Sequence, residues 1–207
     1  VILVPINQCV GLAGLAMGKN FNESSKWAEY SRQGNYIPFD YGYNILQSCE
    51  KDAILFTFGD NDTFPLWCLQ DVYAIRRDIR IVQLSLSNIG WYIDALKNQE
   101  PWGAKKVVLT SFSDASLKEP QESPLAPHYD QGPPRPQSIP INAETVRQIT
   151  EDSSRGAATL SWQQTGTIKQ KEGYIFTVSD QLIADILKNN INDRPIYFSM
   201  SVPNSYR

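Results

Sequence analysis

Residues 53–76 hold a short apolar run, a polar turn and an amphipathic run, in that order, and this order limits what the chain can fold into. The run at 53–58 (Ala-Ile-Leu-Phe-Thr-Phe) follows the charged Glu50-Lys51-Asp52 and stops at Gly59. Its length and its Ile, Leu and Phe content suit a strand buried on both faces. Asp60, Asn61, Asp62 and Thr63 then break the strand, with Thr63 or Asp62 placed to cap a following helix and Pro65 in its first turn. From 65 to 76, Leu66, Leu69, Val72 and Tyr73 recur at the spacing of a helix packing on a sheet.

Strand, turn and helix open an α/β unit, and such sheets gather ligands at the carboxyl ends of their strands. Two carboxylates, an amide and a hydroxyl therefore stand where a site belongs. Read functionally, Asp60 and Asp62 contact a metal, a sugar or a phosphate. Read structurally, the same residues make Asx-turns and a helix cap.

The pattern repeats. Residues 79–86 alternate apolar and polar residues as a second strand, Ser87-Asn88-Ile89-Gly90 end it, and a helix over 91–98 follows. Two such units in succession imply parallel strands, which puts Ser87 and Asn88 on the same sheet edge as Asp60 and Asp62, with Trp91 or Tyr92 on the wall of any crevice there. A third unit runs from a strand at 174–178 through a helix at 180–190, capped by Ser179 or Asp180, to a strongly apolar strand at 196–202. The expected fold is α/β: a three-layer, Rossmann-like domain with a mostly parallel sheet built from strands 53–58, 79–86, 174–178 and 196–202. Shorter elements are expected at 40–48 (helix), 107–109 (strand), 143–150 (helix) and 157–162 (strand). No Gly-x-Gly-x-x-Gly is present, so a dinucleotide site is not supported.

The remainder divides by composition. Residues 1–18 are apolar but interrupted by Pro5, Asn7 and Gln8, with no charge before Lys19, and read as the tail of a membrane span or an apolar interaction segment. Residues 19–36 are a polar linker, and 37–207 the α/β domain. More than half of the thirteen prolines fall within 120–140, so 111–140 reads as a long Pro-rich surface loop. A net charge of −3 gives no reason to expect nucleic acid. Cys9, Cys49 and Cys68 make no metal spacing, and a disulfide between Cys49 and Cys68 is permitted but not required. The single histidine, His128, leaves little material for a zinc site or a Ser-His-Asp triad. Asn22 and Asn61 head N-glycosylation sequons.

Phe-Gly-Asp-Asn-Asp-Thr-Phe-Pro-Leu-Trp (58–67), with Ile-Arg-Ile-Val-Gln-Leu-Ser-Leu-Ser-Asn (79–88), Trp-Tyr-Ile-Asp (91–94), Asp-Tyr-Gly-Tyr-Asn-Ile-Leu-Gln-Ser-Cys (40–49) and Arg-Pro-Ile-Tyr-Phe (194–198), resembles a bacterial family of multi-spanning membrane proteins, domain of unknown function 2723. That family is related to protein O-mannosyltransferases of the lipid-donor (GT-C) type. The resemblance spans about 36–202 and implies an extracytoplasmic domain, periplasmic or cell-surface, anchored by a preceding hydrophobic helix. In such enzymes the catalytic carboxylate sits between early membrane spans, so the resemblance implies an accessory role: holding an acceptor or glycan. Two alternatives stand beside it. One is an assembly subunit that self-associates through residues 1–18 and the Pro-rich arm. The other is a sugar- or phosphate-processing enzyme using Asp60 and Asp62 with a divalent cation, Mg or Mn.

Overall fold

A computed structural model describes residues 35–117 and 130–206. The chain divides into two units, Val1–Pro38 and Phe39–Arg207, and the elements below belong to the second apart from the first turn of α1. The N-terminal segment 1–18 and the sequon at Asn22 lie outside the described residues. Among those residues, no helix is long and apolar enough to cross a membrane.

In chain order the parallel unit contains α1 (Ile37–Ser48), β1 (Ile54–Thr57), α2 (Asp60–Asp71), β2 (Arg80–Gln83), a 3-10 turn (Leu86–Asn88) and α3 (Gly90–Asn98). After a short α4 (Asp114–Leu117) come β3 (Asp130–Gly132), β4 (Arg135–Ile141), α5 (Ala143–Thr150), β5 (Ala158–Gln164), β6 (Ile168–Gln170) and β7 (Gly173–Phe176). The chain closes with α6 (Val178–Asn190), β8 (Ile196–Phe198) and a last 3-10 turn (Asn204–Tyr206).

The central sheet has the order β2-β1-β8 and is parallel throughout, with Leu55 opposite Ile81 on one side and Tyr197 on the other. Because successive side chains on a strand point to opposite faces, the apolar runs split cleanly in two. Ile54, Phe56, Val82 and Leu84 pack with Tyr92, Ile93 and Leu96 of α3 and with Val178, Leu182, Ile183 and Ile186 of α6. Leu55 and Ile81 pack on the other face with Leu46 of α1 and with Leu66 and Leu69 of α2. The result is the three-layer α/β arrangement expected. All four residues of β2 are buried although two are polar, since this strand is covered on both faces.

Three expectations need correction. The strand expected at 174–178 forms, as β7, but outside the parallel sheet: it pairs antiparallel with β3 and β6, and only Phe176 along it is buried. Residues 107–109 form no strand: a side chain takes both backbone bonds of Val108, and Val107 N donates to Leu96 O in α3. The Asn190 amide donates to Val108 O (2.9 Å) and accepts from Val108 N (3.0 Å), while Arg194 donates to the Lys105 and Lys106 carbonyls. The Pro-rich stretch 111–140 is not wholly loop: β4 occupies its end and pairs with β5 over seven residues, Pro136 opposite Gln163 and Pro140 opposite Thr159. The two prolines are four apart and so share one strand parity. A two-stranded ribbon has an outer edge on which a missing N–H costs nothing.

Helix ends also move. α2 begins at Asp60, so Asp62 and Thr63 lie inside its first turn rather than before it; Gly59 precedes it at φ 79°, a conformation that favours glycine. α6 begins at Val178 under Thr177, whose hydroxyl accepts from Asp180 N while the Asp180 carboxylate accepts from Thr177 N, a reciprocal capping box. Cys49 and Cys68 are free thiols, the first buried and its pKa pushed up to about 11, mostly by that burial.

Phe56 is fully buried at the centre of the middle strand, with its ring 4.7 Å from that of Phe198. Phe56→Ala is expected to lower unfolding free energy by about 3–5 kcal/mol, with little change in denaturant dependence, in urea titrations followed by circular dichroism.

Candidate functional site

Parallel pairing, with Thr57 opposite Gln83 and Phe56 opposite Phe198, brings three chain segments together at the carboxyl edge of the sheet. They are Phe58–Thr63 after β1, Leu84–Asn88 after β2, and Ser199–Val202 after β8. Of the residues singled out in the sequence, Asp60 to Thr63, Ser87 and Asn88 lie on these segments, and Asp62 and Asn88 are bonded to distant parts of the chain.

Asp62 is the centre. It is 3% exposed, and its carboxylate accepts from four donors. The Tyr41 hydroxyl of α1 donates to Oδ1 at 2.7 Å. The hydroxyls of Ser199 and Ser201 each donate to Oδ2 at 2.5 Å, and the Phe58 amide reaches the same oxygen at 3.4 Å. These partners come from three elements, so the turn is a tie between layers rather than a self-contained Asx-turn. Tyr41 reaches Asp62 because α1 lies close on α2 at Gly42, where an added Cβ would stand 2.9 Å from Leu69 Cδ1 and 3.3 Å from Pro65 Cβ. Desolvation, the bond to Asp62 and that carboxylate's charge together push the Tyr41 phenol up to about 12.

The neighbours are similarly engaged. The Thr63 hydroxyl donates to Gly59 O (2.8 Å) and lies 2.8 Å from the buried Thr57 hydroxyl. Asp60 and Asn61 are exposed in the first turn of α2, where a carboxylate favours the positive helix end. Ser87 is buried and donates to Gln83 O, while Asn88 Oδ1 accepts from Ser179 N and so joins the end of β2 to the start of α6. Tyr92 is buried away from any rim wall: its hydroxyl accepts from Gln83 N at 2.8 Å and donates to Ile81 O at 3.4 Å, and burial pushes its phenol up to about 12. Trp91 is 48% exposed, edge-on to Tyr92. Among the described residues, no three His, Cys, Asp or Glu side chains approach closely enough to hold a metal ion together.

A cavity of about 310 Å³ opens beside this edge, between β5, α6 and the end of β8. Its walls include Leu160, Trp162, Gln163, Ile183, Phe198 and Tyr206. Tyr206 also approaches Phe58, with ring centroids 6.1 Å apart, which links the cavity to the turn after β1. None of Tyr41, Ser199, Ser201, Trp162 or Tyr206 was singled out from the sequence as a candidate. Ser199 and Ser201 carried a usable signal: they alternate directly after the apolar run 196–198, the same place in its unit that Asp60 to Thr63 hold in the first.

Residues 38–111 match the family model described as TMEM260-associated domain 2. This is a domain of a membrane-protein family with a glycosyltransferase-like context. The matched segment covers α1, β1, α2, β2 and α3, and so includes Tyr41, Asp60 to Thr63, Ser87, Asn88, Trp91 and Tyr92; Ser199 and Ser201 fall outside it. No curated protein and no solved structure matches the chain.

Two outcomes test the tie. Ser201→Ala and Asp62→Asn should each lower stability, by roughly 1 kcal/mol for the hydroxyl and 2–3 kcal/mol for the charge that accepts four bonds. Their double mutant should lose less than the sum, in a denaturation cycle. Tyr41 supplies a pH signature. Its phenol is raised in the folded state from 10.0 to about 12, so the folded state keeps a proton that the unfolded state releases. Its contribution is present below pH 10 and lost as pH rises toward 12; stability should fall less steeply across that window in Tyr41→Phe.

Proposed function

We propose that this chain is an accessory, glycan- or acceptor-holding part of a membrane-anchored protein of the glycosyltransferase-like kind, related to protein O-mannosyltransferases and facing the extracytoplasmic side. The observation that carries the reading is the state of Asp62. A catalytic carboxylate needs a lone pair open to a reacting group. Asp62 gives its oxygens to Tyr41, Ser199, Ser201 and Phe58 and is almost wholly buried. The rim is thereby a rigid wall, suited to shaping a surface for a ligand rather than transforming one. The same bonds count against a cation held by Asp60 and Asp62, for which the carboxylate would have to leave its donors. The match of residues 38–111 supports the membrane context.

The cavity beside the rim supplies a place for a sugar. Trp162 and Tyr206 offer flat apolar faces for the C–H side of a pyranose, and Gln163 an amide for its hydroxyls. Trp162→Ala is expected to weaken binding of neutral oligosaccharides at least tenfold by isothermal titration, with the melting temperature shifted by no more than a few degrees. Equal binding by wild type and variant would remove the glycan from this cavity.

Exposed aromatics favour a second reading, in which the domain also docks on a membrane or a neighbouring copy. Phe39 stacks on Tyr43 (6.2 Å) and meets Tyr73 edge-on (5.3 Å), and all three stay exposed beside Val72. Contiguous exposed apolar surface marks interaction sites. In this reading residues 1–18 add the anchor. Deleting 1–18 should leave thermal unfolding near unchanged while releasing the domain from membranes or from higher-mass species in size-exclusion chromatography.

A further inference from the structure

At the opposite end of β2 from the rim, a second cavity of about 210 Å³ lies against the open edge of the sheet, between the last turns of α2 and α3. Trp67, Ile79, Ile81, Leu96 and Trp102 make its walls, and Arg77 and Arg80 supply its charge. Arg80 is 6% exposed. One of its terminal nitrogens donates to Ala95 O at 2.6 Å, and its Nε–H has no acceptor. Among the described residues no carboxylate pairs with it, whereas Arg76 pairs with Asp78 and Arg155 with Asp152. A buried guanidinium with an unused donor and no counter-ion is costly, because both its charge and its N–H have left water without full replacement. Burial accordingly holds its pKa below the usual arginine value, and Arg194 nearby acts in the same direction.

The mouth of the cavity is built as well. Arg77 donates to the Gln70 and Asp71 carbonyls and lies 4.2 Å over the Trp102 ring. The Trp102 indole N–H donates to the Asp71 carboxylate at 2.9 Å, which occupies the acidic group on the lining. Trp102 itself is 60% exposed and sits at φ 59°, ψ 14°, a left-handed conformation that is unfavourable for a non-glycine residue. A large aromatic held in that conformation, mostly in solvent and over a cation, is placed as half of a binding cleft.

We propose that this cavity binds a small organic carboxylate, its anionic group on Arg80 and its flat or apolar body against Trp67 and Trp102. Guanidinium and carboxylate match in a planar fork, and the ligand would provide the charge that Arg80 lacks. A carboxylate is favoured over phosphate because Trp67, Ile79, Ile81, Leu96 and Trp102 wall the site with apolar surface, against which a dianion loses more hydration than a monoanion. The carboxyl ends of α2 and α3 also face this end of the sheet, and their negative dipole ends tolerate one added negative charge better than two.

The test uses the full chain and four probes: benzoate, glucuronate, glucose and inorganic phosphate, each titrated calorimetrically. Benzoate offers a flat apolar body and glucuronate a sugar ring, so these two arms tell the kinds of carboxylate apart. Binding of either, with glucose and phosphate at least tenfold weaker, is the expected result. Arg80→Met should abolish it, and Trp102→Ala, a surface change that leaves the bond of Arg80 to Ala95 O in place, should weaken it at least fivefold. Should Arg80→Met fail to fold, Trp102→Ala decides. Failure of both carboxylates to bind wild type, phosphate binding as tightly as either, or undiminished binding by Trp102→Ala would overturn the proposal. None of these outcomes bears on the Trp162 cavity, whose test uses neutral oligosaccharides.

Discussion

Backbone carbonyls of helix ends and strand starts collect at one edge of this domain, and arginines donate to them. In a parallel α/β unit each helix hands the chain back to the start of the next strand, so helix carboxyl ends and strand amino ends share an edge. Arg76 donates to the Leu46, Cys49 and Glu50 carbonyls where α1 ends, and Arg77 to those of Gln70 and Asp71 where α2 ends. Arg80 does so at Ala95 in the last turn of α3. Arg194, 4% exposed, takes the Asp52, Ala53, Lys105 and Lys106 carbonyls together and so pins the starts of β1 and of the 105–109 segment to the approach to β8. Five N–H donors in a fixed fork allow one side chain to satisfy several carbonyls, which lysine cannot do with the same geometry. These bonds add donors to the last carbonyls of the helices, which the helices themselves leave short of partners.

The opposite edge carries the opposite charge. Asp62 lies in the first turn of α2 and Asp180 in the first turn of α6, each buried and each accepting from hydroxyls and amides. Carboxylates there meet the positive ends of the helices as the arginines meet the negative ends. Asp185 serves a different purpose on the same helix: it accepts from the amides and hydroxyls of Thr110 and Ser111, holding the segment after 109 against α6. Buried charge in this protein is thus spent on backbone and hydroxyl partners more than on ion pairs.

That economy shapes what the surface can offer. The carboxyl edge has the residue types of a binding rim, yet its polar atoms largely face inward, and the space open to a ligand lies to either side. One cavity is walled by Trp162 and Tyr206 and the other by Trp102 and Arg80. Tyr92, whose hydroxyl accepts from Gln83 N and donates to Ile81 O, also closes the open edge of β2 against another strand.

Local rules were enough for the parallel unit. The apolar run at 53–58, the alternation at 79–86 and the apolar strand after Pro195 each identify a strand from composition and length, and the intervening helical spacing makes their pairing parallel. The position of Asp60 to Thr63 at the carboxyl edge follows from that order alone. What they do there does not. Asp62 meets Ser199 and Ser201 across 137 and 139 residues, and Tyr41 across 21, contacts no spacing rule reaches. Strand 174–178 has the composition of a core strand but pairs with short antiparallel partners, and 107–109 has it too but meets the Asn190 side chain and Leu96 O instead of a strand. In the Pro-rich stretch, composition argued against pairing, while a ribbon with one free edge allowed it. Sequence determined which segments are extended, which are helical and which strand ends carry polar residues, because these depend on neighbours within a few positions. Tertiary structure decided which hydrogen-bonding groups are consumed and which are left for a ligand, because that depends on donors brought from the far end of the chain.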